Sequence, residues 1–264
     1  MKILGILNIT EDSFSDGGRF LAPEAALAQA RALLQDADIL DIGAVSSNPD
    51  SKPVPPDVEI ARLQSVLPTL KTEGAVISVD SFVPEVQRWA LKQGVEYLND
   101  IHGFSEPAFY PELAAANAKL IVMHAVLERG IATRDDIPAQ EIFGRAVSFF
   151  EQRVMALTEA GIARERLILD PGMGFFVGRD PENSLTLLRR LPELKARFDL
   201  PLLVSVSRKS FLRKLTNRGP GEAGAASLAA ELFAEANGAD YIRTHAPGPL
   251  RDGVKILKAI GNGR

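Results

Sequence analysis

ILDIGAVSSNPDSKPVPPDVEIARLQSVLPTLKTEGAVISVD, residues 39–80, is the stretch on which the fold turns. Ile39–Gly43 is a short apolar run ending among polar residues, and Val76–Asp80 is a second. Between them Pro56-Asp57 opens a helical pattern, with proline at a first-turn position where its missing N–H costs nothing, and Gly74 closes it. Near-continuous hydrophobicity in the two runs, rather than strict alternation, suits parallel strands covered on both faces. The unit therefore reads strand, long loop, helix, strand.

The same alternation extends in both directions. Strands are expected at Ile3–Asn8, Ile39–Gly43, Val76–Asp80, Tyr97–Asp100, Leu120–His124, Leu167–Asp170, Leu202–Ser207 and Tyr241–Thr244, eight runs in all. Helices are expected at Pro23–Gln35, from Pro56 to Gly74, at Ala139–Ala160, Glu182–Phe198, Glu222–Ala236 and Gly248–Ile260. Eight strand-helix units with no linker or shift of composition predict an α/β fold, a (β/α)8 TIM barrel, as a single domain over residues 1–264. A doubly wound open sheet is the alternative, but no G-x-G-x-x-G follows the first strand.

Composition narrows function. With 34 acidic against 30 basic residues, a net charge of −4, the chain carries no basic excess for phosphate-driven nucleic-acid binding. The absence of cysteine removes disulfides, thiolate metal sites and a thiol nucleophile. No run approaches the roughly 20 apolar residues of a membrane span, and the N-terminal run turns polar too soon for a signal peptide, so a cytoplasmic location without membrane contact is expected.

At the carboxyl ends of the eight runs stand Asn8, Asp41, Asp80, Asn99 with Asp100, His124, Asp170, Ser207 with Arg208 and Lys209, then Arg243 and His245. A barrel brings such positions together on one face, where barrel enzymes place their chemistry. Asp80, Asn99, Asp170 and Lys209 offer donors and acceptors for the edge of a flat polar heterocycle. Arg243 and His245, two residues apart and so on one side of the strand, read as a compact cationic pair that with Asn8 could clamp a phosphate or diphosphate. Zinc hydrolysis is disfavoured because His102, His124 and His245 are scattered, and a serine hydrolase lacks its G-x-S-x-G elbow. Mg²⁺ stays open, since it keeps its waters and needs few protein ligands.

Eight ordered motifs give the chain an end-to-end resemblance to the dihydropteroate synthases. They are GILNITEDSFSDGG (Gly5 to Gly18), DIGAVSSNPD (Asp41 to Asp50), VDS (Val79 to Ser81), LNDI (Leu98 to Ile101), VMH (Val122 to His124), LDPGMGF (Leu169 to Phe175), SVSRKSF (Ser205 to Phe211) and RTH (Arg243 to His245). The resemblance implies an enzyme of folate synthesis, a transferase joining 6-hydroxymethyl-7,8-dihydropterin diphosphate to p-aminobenzoate. It implies a pterin pocket of Asp80, Asn99, Ile101, Met123, Asp170 and Lys209, and a diphosphate site of Asn8, Arg243 and His245 with Mg²⁺ near Asn8. It further implies a p-aminobenzoate site of Ser47, Phe175, Phe176, Lys209 and Ser210, a closing loop carrying Phe14 and Asp16, and a homodimer. Asp80, Asp170, Lys209, Arg243 and His245 would carry the reaction, with no covalent enzyme intermediate.

Two departures mark a branch. The second loop commonly reads like GESTRPG in this family, but here Asn48 stands where the arginine is expected. After DPGMGF the chain continues Phe176, Val177, Gly178 instead of Gly and Lys. Both resemble the mobile, sulfonamide-insensitive synthases, which implies a pocket wall repacked against drugs bulkier than p-aminobenzoate. A non-catalytic pterin-binding module and a methyltetrahydrofolate-binding methyltransferase domain are the alternatives.

Overall fold

Side chains alternate along each strand between two faces, and that sorting builds the molecule. The computed structural model describes residues 1–9, 22–45, 54–128, 131–132 and 137–261. Its barrel strands are β1 (Lys2–Asn8), β2 (Ile39–Gly43), β3 (Ile77–Asp80), β4 (Tyr97–Asp100), β5 (Lys119–Met123), β6 (Leu167–Asp170), β7 (Leu203–Val204) and β8 (Tyr241–Thr244). All pair in parallel, in the order β6-β5-β4-β3-β2-β1-β8-β7. The ring closes where Leu169 bridges Leu202 and the Leu169 N–H donates to the Pro201 carbonyl at 2.9 Å. The chain is thus a single-domain (β/α)8 barrel.

One face of each strand looks outward. Leu40, Ile42, Val79, Leu98, Val122 and Leu169 join the main core, packed under the helices. The opposite face looks into the barrel, where Leu4, Ile39, Tyr97, Ile121, Ile168, Leu203 and Tyr241 form a separate buried layer. This layer is the apolar floor on which the site rests.

The helices are α1 (Ala22–Leu34), α2 (Pro56–Gln64), α3 (Leu67–Thr72), α4 (Pro84–Lys92), α5 (Tyr110–Ala115), α6 (Ala139–Glu159), α7 (Pro181–Arg189), α8 (Leu191–Phe198), α9 (Ser210–Thr216), α10 (Gly224–Ala236) and α11 (Pro247–Gly261). Two helices expected to be continuous are each broken in two. Pro68 and Pro192 lack an N–H and crowd the carbonyls of Gln64 and Leu188, so α2 and α7 stop and α3 and α8 begin afresh. The seventh strand is also shorter than expected: pairing covers Leu202–Val204, and Ser205–Ser207 leads into a turn where Arg208 takes φ +58°. No helix among the described residues is long and apolar enough to cross a membrane.

Candidate active site

Two residues further up the inward face, six of the eight strands carry polar groups. Ile39 leads to Asp41, Ser78 to Asp80, Tyr97 to Asn99, Ile168 to Asp170, Leu203 to Ser205 and Tyr241 to Arg243, while Ile121 leads to Met123. Asp80, Asn99, Asp170, Ser205, Lys209 and Arg243, with Ile101, Met123, Met173 and Phe176 as apolar wall, line a cavity of about 340 Å³ that includes space open to solvent. All six residues expected around a pterin line this one cavity.

Arg243 organises the charges. Its Nε donates to Asp41 Oδ2 at 2.5 Å and a terminal nitrogen donates to Asp80 Oδ2 at 2.7 Å. Asn99 Nδ2 adds a donor to Asp41 Oδ2 at 3.3 Å. Asp41 is fully buried, so removing the guanidinium would leave an uncompensated charge, at a cost of about 3–5 kcal/mol. Asn99 Oδ1 and Ser205 Oγ are buried without hydrogen-bond partners and both belong to cavity-lining residues. Groups of this kind are satisfied by a polar ligand.

Burial sets the acidities. It pushes Asp80 up to about 7, with Arg243 opposing, and Asp170 up to about 6, with the Gly172 N–H opposing. Lys209 is brought down to about 8 by burial and by Arg243 beside it. Arg243 itself is held as a cation, its burial outweighed by Asp41 and Asp80. Acids raised and a lysine lowered toward neutrality in one cavity are a mark of a functional site.

The turn after β6 places the far wall. Gly172 has φ +73°, and a Cβ there would stand 2.2 Å from the His124 carbonyl oxygen, so only glycine fits. This lets the Gly172 N–H donate to Asp170 Oδ1 at 2.8 Å, fixing the carboxyl. Gly174, φ +69°, leaves room for the stem of Lys209, whose Nζ lies 4.6 Å from the centre of the Phe176 ring. Cation and ring face attract at this distance.

Other expected residues fall differently. Arg243 and His245 do not form a cationic pair: burial, then Arg208, Arg243 and Lys209, lower His245 to about 3, so the imidazole is neutral. Phe176, expected beside p-aminobenzoate, is buried in the wall of the pterin-side cavity with Ile101 and Met123, while Phe175 is 44% exposed. Ser210 begins α9 close to Gly174. Asn8 is exposed at the end of β1, level with Gly43. His124 is buried outside the cavity, its ring Nδ1 3.0 Å from the Pro171 carbonyl. Phe14, Asp16, Ser47 and Asn48 lie outside the described residues. Met173 and Ser205 were not among the expected site residues, yet both line the cavity; Asp41, expected only as one of the polar groups at the strand ends, holds Arg243. The two-residue step above Ile39 and Leu203 was the signal for Asp41 and Ser205.

A barrel whose mouth is built this way is a pterin binding enzyme, and the family model of that description matches residues 4–245. The chain is 60% identical to the Escherichia coli dihydropteroate synthase type-2 over 98% of its length and 95% of the relative's. It is 49% identical to the Escherichia coli type-3 synthase, over 98% and 99% of the two chains. Among solved structures, the Xanthomonas albilineans dihydropteroate synthase with 4-aminobenzoic acid superposes with a TM-score of 0.89 at 34% identity, covering 98% of this chain and 93% of that one. The chain belongs to the dihydropteroate synthases.

Proposed function

We propose that this chain condenses 6-hydroxymethyl-7,8-dihydropterin diphosphate with p-aminobenzoate, giving 7,8-dihydropteroate and diphosphate. The observation that carries the proposal is the cavity in which Asp80, Asn99, Asp170 and Lys209 surround an apolar wall beside Arg243. Carboxylates and the Asn99 side chain take the N–H and carbonyl edge of the pterin, and Ile101, Met123 and Phe176 flank its flat faces. The bond from the pterin methylene to the diphosphate oxygen breaks, its electron pair leaving with diphosphate. Asp80 and Asp170 stabilise the positive charge developing at the methylene. The p-aminobenzoate amine then forms the new C–N bond and sheds a proton to solvent.

Mg²⁺ is the proposed ion. The donor set fits it: Asn8 Oδ1 and Asp80 Oδ2 both approach Gly43, 3.6 and 3.7 Å from where a Cβ would stand, so two oxygen donors face one point at the end of β1 and β3. Among the described residues no three His, Cys, Asp or Glu side chains cluster as a dedicated cage, which suits an ion that keeps its waters. When bound it neutralises charge on the leaving diphosphate. Arg243 and the neutral His245 serve the same anion as donors.

The sulfonamide-insensitive branch is proposed on Phe176. Its ring lies under Lys209 and packs with Ile101 and Met123 in the cavity wall, and we propose that a drug's extra substituent meets it there. The test is diphosphate release from the purified protein with both substrates and Mg²⁺, while a sulfonamide is titrated in. Turnover should persist at drug levels well above those of p-aminobenzoate, and Phe176→Gly should lower the inhibitory concentration roughly 10- to 200-fold. Unchanged tolerance in that variant overturns the role of Phe176. Pterin binding without any diphosphate release returns the non-catalytic module.

A cytoplasmic homodimer is proposed as the working form. Phe233 on α10 and Ile256, Leu257 and Ile260 on α11 are 44% to 62% exposed, an apolar surface on adjoining helices that a second copy would cover.

A further inference from the structure

Behind His245 lies a buried acid that the reaction above does not use. Glu231, on α10, is 2% exposed, and its Oε1 has no hydrogen-bond partner among the described residues. Its carboxyl faces the hydroxyls of Thr244 and Ser207, both buried. Those hydroxyls lead to the imidazole. Thr244 Oγ1 donates to Ser207 Oγ at 3.4 Å, and Ser207 Oγ lies 3.1 Å from His245 Nδ1 while accepting the His245 backbone N–H at 3.2 Å. Thr244 Oγ1 accepts the Ala246 N–H at 3.1 Å.

Counting protons decides the direction of this chain. A hydroxyl has one proton and two acceptor positions. Ser207 accepts from the His245 backbone and from Thr244, so its own proton goes to His245 Nδ1. Thr244 accepts from Ala246 and has one acceptor position left, which a neutral Glu231 fills with its O–H. An ionised Glu231 would draw both hydroxyl protons instead. Ser207 would then accept from Nδ1–H, leaving Nε2 as a bare lone pair. Burial raises Glu231 above the usual carboxylate range, with the two hydroxyls opposing, which favours the neutral acid. Burial, with Arg208, Arg243 and Lys209 around the imidazole, keeps it singly protonated, so the position of that one proton matters.

We infer that Glu231 is a positioning residue which, through Thr244 and Ser207, holds His245 as its Nε2–H tautomer and so presents an N–H donor to the departing diphosphate. The inference rests on the diphosphate role proposed above for His245. It extends the site to a helix that touches no substrate.

The tautomer can be observed directly. The chain has three histidines, so ¹⁵N spectra of the full-length protein, assigned by substitution of each, report the two ring nitrogens of His245 separately. The native protein should show a protonated Nε2 and a pyridine-type Nδ1; a protonated Nδ1 overturns the inference without any variant. Glu231→Leu and Ser207→Ala should move His245 toward a mixture, and Glu231→Gln, which keeps a neutral donor, should restore the native pattern. In Glu231→Leu, KM for the pterin diphosphate should rise about tenfold, with KM for p-aminobenzoate unchanged. A tautomer that stays native in Glu231→Leu overturns the role of Glu231. A tautomer that shifts while both KM values hold supports the hydroxyl chain and overturns the diphosphate role of His245 instead.

Discussion

Asp170 is 2% exposed, and among the described residues its carboxyl takes one hydrogen bond, from the Gly172 N–H. Burial raises it from 3.8 to about 6, so the folded chain holds a proton that the unfolded chain releases. The stability this confers is complete below 3.8 and is lost as the pH rises through about 6. Asp170→Asn keeps an oxygen for the Gly172 N–H but removes the charge. It should therefore be more stable than the parent by ~1–3 kcal/mol at pH 8, with the difference closing at pH 4. Thermal unfolding across that range checks the sign, and diphosphate release should be lost in the same variant. Asp41 is instead shared by Arg243 and Asn99, which donate to its Oδ2 at 2.5 and 3.3 Å. The carboxyls thus divide between Asp41 and Asp80, which anchor the Arg243 cation, and Asp170, held by a backbone N–H.

At the scale of elements, the turn after β6 is the most constrained link between fold and site. Gly172→Ala puts a Cβ against the His124 carbonyl and should cost about 3 kcal/mol or more, whereas Gly174→Ala, whose Cβ meets Lys209 at an ordinary 3.4 Å, should cost only ~1–2 kcal/mol for its left-handed backbone. Urea midpoints of the two variants would separate clash from conformational preference. Strand positions were legible because parallel strands are buried on both faces and stand out as apolar runs. Helix continuity was less so: Pro68 and Pro192 lie inside helical periodicity, and the breaks they cause were expected at neither place. Nor was α4 expected, though it buries Val86, Gln87 and Ala90 on one face. Asp80, Met123 and Asp170 could be placed at the cavity because each ends a strand. That Phe176 packs with Ile101 and Met123 was not legible, because it sits in a 3-10 turn, Gly174–Val177, where sequence spacing does not say which way a ring points. The neutrality of His245 was hidden for a related reason, since it depends on burial and on three cations brought close only by folding.

For the whole molecule, eight repeats around one axis make the chemistry a property of the ring rather than of any segment. The exposed apolar side chains of α10 and α11 lie outside the barrel mouth, so association through them would leave the cavity open. Sedimentation should give twice the 28.5 kDa of the chain, and the pair Ile256→Glu and Ile260→Glu should halve that mass while circular dichroism stays unchanged. A native mass already equal to one chain would remove the dimer. The two-residue step from apolar floor to polar mouth also bears on how such a chain can evolve. Inserting or deleting a single residue within a strand turns its inward groups out into the helical layer, so heritable change inside the ring is nearly closed off. The connecting loops carry no such phase. A lineage can lengthen or reword the segment around Phe176 and alter which molecules pass the mouth, while the chemistry beneath is inherited intact.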